Sequence, residues 1–194
     1  IGIPFSGAMD KRNFILANRI AGNNDNTPVI EFAYQGPKLK FKGQKINFTI
    51  TGNVSFKLIK KEKEIYGNCY QNYTLEEGDQ LDILSTNKSV YGYFAISGNF
   101  DVKFQWGSCS TNTKANIGAN DGKKIEKDQP LTLVDGSEFT VDNKEEVIQA
   151  LGNPIPAKGI ELKDKDGNII TTSKLAKTAE FGGGGGMRGG SDIT

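Results

Sequence analysis

The 194-residue sequence contains no histidine. That absence removes imidazole general bases, histidine-dependent nucleophile triads and histidine-liganded zinc, the commonest acid–base and metal apparatus near neutral pH. Chemistry in this chain therefore falls to carboxylates, lysines, hydroxyls and backbone dipoles. Cysteine is nearly absent as well, with Cys69 and Cys109 alone. Two thiols build neither a disulfide framework in a chain of this length nor a four-cysteine zinc site. They read as small buried residues of a reducing, cytoplasmic compartment. No apolar run approaches the roughly 20 residues that a membrane span requires, and no basic stretch followed by an apolar one marks a secretory signal. Neither sign of charge dominates, since 24 basic residues face 23 acidic ones for a net charge of +1. A nucleic-acid binder or an acidic-tail protein needs one sign in excess, so both are excluded.

What is present fits one domain of ordinary size, or one domain and a tail. The chain opens on Ile1 inside a Gly-Ile-Pro turn, which reads as a missing beginning. Asparagine is abundant, and the sequons at Asn47, Asn53, Asn72 and Asn87 read as chance matches in such a composition. A first amphipathic segment runs from Asp10 to Ala21, with Asp10 as N-cap, Phe14, Leu16, Ala17 and Ile20 at helical spacing, and Gly22 as the stop. The period then changes to two. Val29 to Phe32 begins a strand, Gly36-Pro37 breaks it, and Leu39 and Phe41 resume the alternation. Ile46, Phe48 and Ile50 alternate with polar neighbours, and Phe56 and Leu58 continue after Gly52-Asn53. Leu81, Ile83 and Leu84 follow the turn Glu77-Gly78-Asp79, and Val90 to Ile96 forms an apolar strand. Short strands punctuated by Gly and Asn predict a mainly β fold, a barrel or sandwich with one helix.

Past Gln129 the texture shifts. Lys144 to Leu151 has the pattern of a short helix, capped by Asp142 or Asn143. Ile160–Leu162 and Ile169-Ile170 flank Asp164-Lys165-Asp166-Gly167, a hairpin turn rather than a calcium loop, because the spacing and the distal glutamate of the latter are wrong. Gly182 to Gly190 reads as a flexible tail, without the Gly-Lys-Ser/Thr ending of a phosphate loop.

The densest candidate for chemistry is Gly2-Ile3-Pro4-Phe5-Ser6-Gly7-Ala8-Met9-Asp10. Its glycines allow a tight path, Ser6 offers a hydroxyl, and the helix that follows aims free N–H groups at an anion near Ser6 to Asp10. A capped turn that merely feeds a helix is the plainer reading of the same residues.

This segment, with Leu16-Ala17-Asn18 and Gly22-Asn23, resembles the start of the family that contains the third component, C, of bacterial 5-oxoprolinase. KipA-type proteins and the allophanate hydrolase subunit 2 domain of urea carboxylase, a carboxyltransferase-like domain, belong to the same family. The agreement continues in order through Glu31, Gly36-Pro37-x-Leu39-x-Phe41, Thr51-Gly52, Glu77-Gly78-Asp79 and Ala95 to Val102. It ends with Gly107-Ser108-Cys109-Ser110-Thr111, Lys114, Ile117-Gly118, Gly122 and Lys123. Asn99 replaces a usual glycine and Lys123 a usual arginine. The resemblance covers residues 1–131, which leaves 132–181, with the short helix and hairpin, as a segment whose origin truncation and chimaeric joining would both explain, and 182–194 as the flexible tail. Leu175 to Phe181 is instead faintly similar to segments of phage proteins.

The resemblance implies an incomplete cyclophilin-like β-barrel with one short N-terminal helix, followed by a β-rich or irregular C-terminal segment. It implies a cytoplasmic component of an ATP-dependent 5-oxoprolinase, hydrolysing the lactam of 5-oxoproline to glutamate, or of a related allophanate or urea carboxylase system. Such a chain would act with partners like the A and B components of 5-oxoprolinase (KipI-like proteins), with ATP and Mg2+ handled by the assembled complex. Opening a lactam needs an activated carbonyl and a stabilised oxyanion. The expected catalytic residues are Ser6, Asp10, Glu31 and Lys114, and the expected anion- and substrate-binding residues are Gly7, Ala8, Met9, Gly107, Ser108, Ser110 and Thr111; no metal ligand is expected. Two other readings are a non-catalytic KipA-like regulatory module and a viral structural protein on the same fold.

Overall fold

A computed structural model describes residues 7–142 and the backbone of 178–182. Ser6, the expected helix at 144–151, the expected hairpin around 164–167 and the glycine run from 183 onward lie outside the described residues. Among the described residues, no helix is long and apolar enough to cross a membrane.

Helix α1 spans Lys11–Ile20, one residue inside the expected segment at each end. Asp10 caps it, its Oδ1 accepting from the Asn13 amide at 3.1 Å, and Gly22 ends it at φ 81°. Phe14, Ala17 and Asn18 form the buried stripe. Asn18 is buried because it works: its Nδ2 donates to the carbonyls of Thr27 at 2.9 Å and Asp25 at 3.3 Å, tying the loop after the helix back onto it. Arg19 bridges Asp25 on the surface at 2.7 Å.

Among the described residues, eleven strands follow in chain order: β1 Val29–Ala33, β2 Lys38–Lys42, β3 Lys45–Thr51, β4 Val54–Lys60, β5 Lys63–Tyr66, β6 Asn72–Glu76, β7 Gln80–Thr86, β8 Tyr91–Ile96, β9 Pro130–Thr132, β10 Glu138–Asp142 and β11 Thr178–Gly182. They form two antiparallel sheets, in the orders β11-β1-β8-β3-β6 and β5-β4-β7-β2-β10-β9. Neither closes on itself among the described residues, so the mainly β expectation holds as two sheets with unpaired edges rather than as a closed barrel. Gly182, expected to open the flexible tail, is the last residue of β11 and pairs with Val29.

The sheets face each other across one core. Ile30, Phe32, Phe48, Ile50, Phe94 and Ile96 point inward from the five-stranded sheet, and Leu39, Phe41, Phe56, Leu58, Leu81 and Ile83 meet them from the other. Phe139 of β10 stacks within this core on Phe41 and Phe94, at centroid distances of 5.1 and 5.6 Å, so the core runs without a break past residue 131. The opposite face of the five-stranded sheet carries α1, where Val29, Tyr93 and Ala95 pack against Phe14, Ala17 and Ala21. Covered on both faces, β1 and β8 lose the buried–exposed alternation seen in β2 and are buried almost throughout, Glu31 of β1 included.

Candidate functional site

A carboxylate in the middle of Val29-Ile30-Glu31-Phe32 needs partners, because burying a charge without hydrogen bonds is costly. Glu31 is 6% exposed and finds them at the start of α1. Its Oε2 accepts from the Met9 amide at 2.8 Å. Directly opposite it in register lies Tyr93 of β8, fully buried, whose hydroxyl accepts from the Asp10 amide at 2.6 Å and is hydrogen-bonded to Glu31. Burial first, then the negative charge and hydrogen bond of Glu31, push the Tyr93 phenol above its ordinary range, so it stays a neutral donor toward the carboxylate. On the far side of Tyr93, Thr51 of β3 is next in the same row, and its Oγ1 donates to the carbonyl of Asn13 at 2.7 Å. Three adjacent strands thus send one polar side chain each to the same helix start.

Asp10 and Asn13 complete this cluster. Asp10 Oδ2 accepts from Asn13 Nδ2 at 2.6 Å, and Asn13 Oδ1 accepts from the Tyr70 hydroxyl at 2.8 Å. Tyr70 in turn borders an open cleft of about 450 Å3, lined also by Asn53, Ser55, Tyr66, Asn68 and Cys69. Burial raises the Cys69 thiol above its ordinary range, and its Sγ donates to the Val54 carbonyl at 3.2 Å. The turn Gly7–Asp10, α1 and this cleft therefore form one continuous region.

The sequence expectation placed Glu31 and Asp10 among the catalytic residues and read the turn as an anion site. In the structure both carboxylates serve the turn itself: Asp10 is the N-cap, and Glu31 takes the Met9 amide that an anionic ligand would otherwise meet. Gly7 and Met9 are exposed and Ala8 is half-buried.

The second expected group sits elsewhere. Gln105 and Ser108 pair across the two-residue turn Trp106-Gly107, both of positive φ, leaving Trp106 77% exposed. Ser108 Oγ accepts from the Ser110 amide at 3.1 Å, and Thr111 Oγ1 donates to the Ala119 carbonyl at 3.2 Å. Ser110 is buried. The Ala119 amide closes the loop onto the Cys109 carbonyl at 3.0 Å. Cys109 and Ala119 belong to the core between the sheets, whereas Glu31 and Tyr93 serve the helix-covered face. Lys114 is exposed on the Asn112–Ile117 loop, where Asn112 Oδ1 accepts from the amides of Lys114 and Ala115 at 3.2 and 3.1 Å. The two expected groups thus occupy different layers of the fold.

Tyr93, Thr51, Asn13 and Tyr70 escaped the sequence reading. One signal was available, since an acidic residue inside an apolar strand announces a buried polar partner. Among the described residues, no group of three or more acidic or cysteine side chains could hold a metal ion.

Comparison with known proteins agrees with the motif order. Residues 1–170 match a family described as carboxyltransferase domain, subdomain A and B. The C component of 5-oxoprolinase from Haemophilus influenzae is 32% identical over 130 residues, 67% of this chain and 41% of that protein. Urea amidolyase from Lachancea kluyveri is 36% identical over 138 residues, 69% of this chain and 7% of that protein. The crystal structure of the Kluyveromyces lactis urea carboxylase superposes with a TM-score of 0.58 at 30% identity, covering 76% of this chain and 12% of that one. The chain therefore spans well under half the length of these relatives.

Proposed function

The chain belongs to the carboxyltransferase-domain family, subdomain A and B, and from that premise we propose that it acts like the C component of 5-oxoprolinase, as one part of an ATP-dependent amide-processing enzyme. The reaction we assign to the assembly is opening of the lactam of 5-oxoproline to give glutamate, with partners of the A and B types. The observation that carries this reading is the 32% identity to the 5-oxoprolinase C component over 67% of the chain. Lactam opening must overcome amide resonance, which requires an activated carbonyl and stabilised charge on its oxygen. The region around α1 supports a binding role in that chemistry. The turn is held rigidly by Glu31 and Tyr93, while Lys11 and Arg12 are exposed in the first helical turn, where the amides lack intrahelical partners. Ser6, Ser110 and Thr111 remain proposed substrate-side hydroxyls.

ATP, with Mg2+, would supply the activation of the carbonyl. We assign the nucleotide to the assembled complex rather than to this chain by itself.

A urea carboxylase-type role is the second reading, favoured by the 36% identity to urea amidolyase. Both are tested together by co-expressing the chain with the A and B components of 5-oxoprolinase and measuring ATP-dependent glutamate formation, with urea-dependent ATP consumption in the presence of a biotin carboxylase partner as the parallel assay. Glutamate formation that needs the chain supports the first reading. Urea-dependent turnover alone supports the second, and no turnover with no stable complex in either arm rejects both.

A further inference from the structure

We infer that Tyr93 is a positioning residue of the candidate site, holding the Gly7–Asp10 turn in place through the main chain of Asp10 and through Glu31; this rests on the function proposed above. Phenylalanine at this position would make the same packing contact, since the Tyr93 ring lies against Phe14 at a centroid distance of 6.3 Å, inside a small cluster with Ala17, Val29 and Ala95. The hydroxyl adds only polar atoms, and burying those beside a buried carboxylate lowers stability unless every bond is made. Here they are made, and all of them serve one short segment. Tyr93 fixes the Asp10 amide at 2.6 Å, Glu31 fixes the Met9 amide at 2.8 Å, and Tyr93 and Glu31 hold each other.

Ala8 packs against the same cluster and Asp10 caps the helix, but Gly7 is exposed and Met9 is 65% exposed, so burial contributes little to the placement of those two residues. Two consecutive amides gripped by two side chains from adjacent strands in register give the turn a fixed position and direction. A loop that only had to connect residues would not need this. A turn that must present groups to a substrate does, because small displacements cost large factors in rate.

The test compares Tyr93→Phe with Val29→Ala, a variant in the same cluster that removes packing but no polar atom. Amide hydrogen exchange is read residue by residue in the purified chain. In Tyr93→Phe the Asp10 and Met9 amides should exchange at least about tenfold faster, while Ala17 and Asn18 stay within about threefold. Val29→Ala should speed all four alike. Glu31→Ala is the second variant and should release Met9 more than Asp10. In the reconstituted enzyme, Tyr93→Phe should lower kcat by about tenfold or more with KM changed less, and Val29→Ala should leave kcat within about twofold below its melting temperature. Unchanged protection at Asp10 and Met9 in Tyr93→Phe, or turnover that simply follows melting temperature in both variants, overturns the inference. If the wild-type chain supports no turnover with either set of partners, the proposed function fails while the exchange data still decide the clamp.

Discussion

Replacing Gly118 by alanine should damage the 105–119 loop severely, because Gly118 is buried among Cys109, Ser110 and Ala119. Gly118 has φ 100° and ψ −157°, a region essentially reserved for glycine, and forcing another residue there costs about 1 to 3 kcal/mol. A Cβ would also stand 2.0 Å from the Ser110 carbonyl oxygen and 2.7 Å from its carbon. Those are main-chain atoms, so the loop must shift, and overpacking of this kind adds about 1 to 3 kcal/mol. The shift would strain the bond from the Gly118 amide to Gln105 Oε1 at 2.9 Å and that from the Ala119 amide to the Cys109 carbonyl at 3.0 Å. The sum, about 2 to 6 kcal/mol, is a large share of an ordinary domain's stability. Gly98→Ala is the control. Gly98 has φ 126°, but a Cβ there meets nothing within 4 Å, so only the backbone cost applies. Urea denaturation gives the two stabilities, and alkylation of Cys109 in the folded protein reports local opening. Gly118→Ala should melt at clearly lower urea than Gly98→Ala and expose the thiol. Equal midpoints for the two variants, with Cys109 still protected, would refute the close-contact argument.

Two further outcomes follow from buried polar groups. Burial raises the Cys109 thiol from an ordinary 9.0 to about 11; the unfolded chain therefore loses this proton first, so the contribution is complete below pH 9 and is lost as pH rises through 11, a change of about 3 kcal/mol. Denaturation midpoints between pH 8 and 11 should accordingly fall more steeply in the wild type than in Cys109→Ala, and parallel curves would count against it. Asn18→Ala strips the loop carbonyls of Asp25 and Thr27 of their side-chain donor and should lower stability by about 2 to 3 kcal/mol in a thermal melt; a loss under about 0.5 kcal/mol would show that water replaces the amide at no cost.

The helix and strands β1 to β4, β7 and β8 were legible because each buries apolar side chains at a recognisable period or in a run, and all but β4 are followed within three residues by Gly or Asn. The strands that escaped notice mostly lack that imprint. All four residues of β5 are exposed and β6 buries only Leu75, so neither carries an alternation to read. Strand β9 has only three residues; β10 does alternate, burying Phe139 and Val141 as β2 buries Leu39 and Phe41, and its place is set by long-range pairing such as Phe139 opposite Phe41. The site divides in the same way. Asp10 as N-cap is a local property and was readable. Tyr93 was not, since a tyrosine flanked by Gly92 and Phe94 looks like any core aromatic until the register sets it opposite Glu31. Lys114 and Asp10 both follow the family's motif order, but linear order carries no information about which layer of the fold each residue joins.

The position of Glu31 changes how the start of α1 can act. A helix N-terminus attracts anions because its amides and dipole are unanswered. Here the Met9 amide is answered by Glu31, the Asp10 amide by Tyr93 and the Asn13 amide by Asp10. Glu31 and the Asp10 side chain thus take the amides of Met9 and Asn13, while those of Lys11 and Arg12 keep no intrahelical partner. What the turn has besides is shape: a path whose outer side faces solvent at Gly7 and Met9 and whose inner side is anchored through Glu31 and Tyr93 to β1 and β8. An oxyanion formed in this neighbourhood would have to draw its positive charge from Lys11, Arg12 or a partner chain rather than from the amides of Met9 and Asp10. Under the function proposed above, such a turn would place a substrate against groups supplied elsewhere in the assembly.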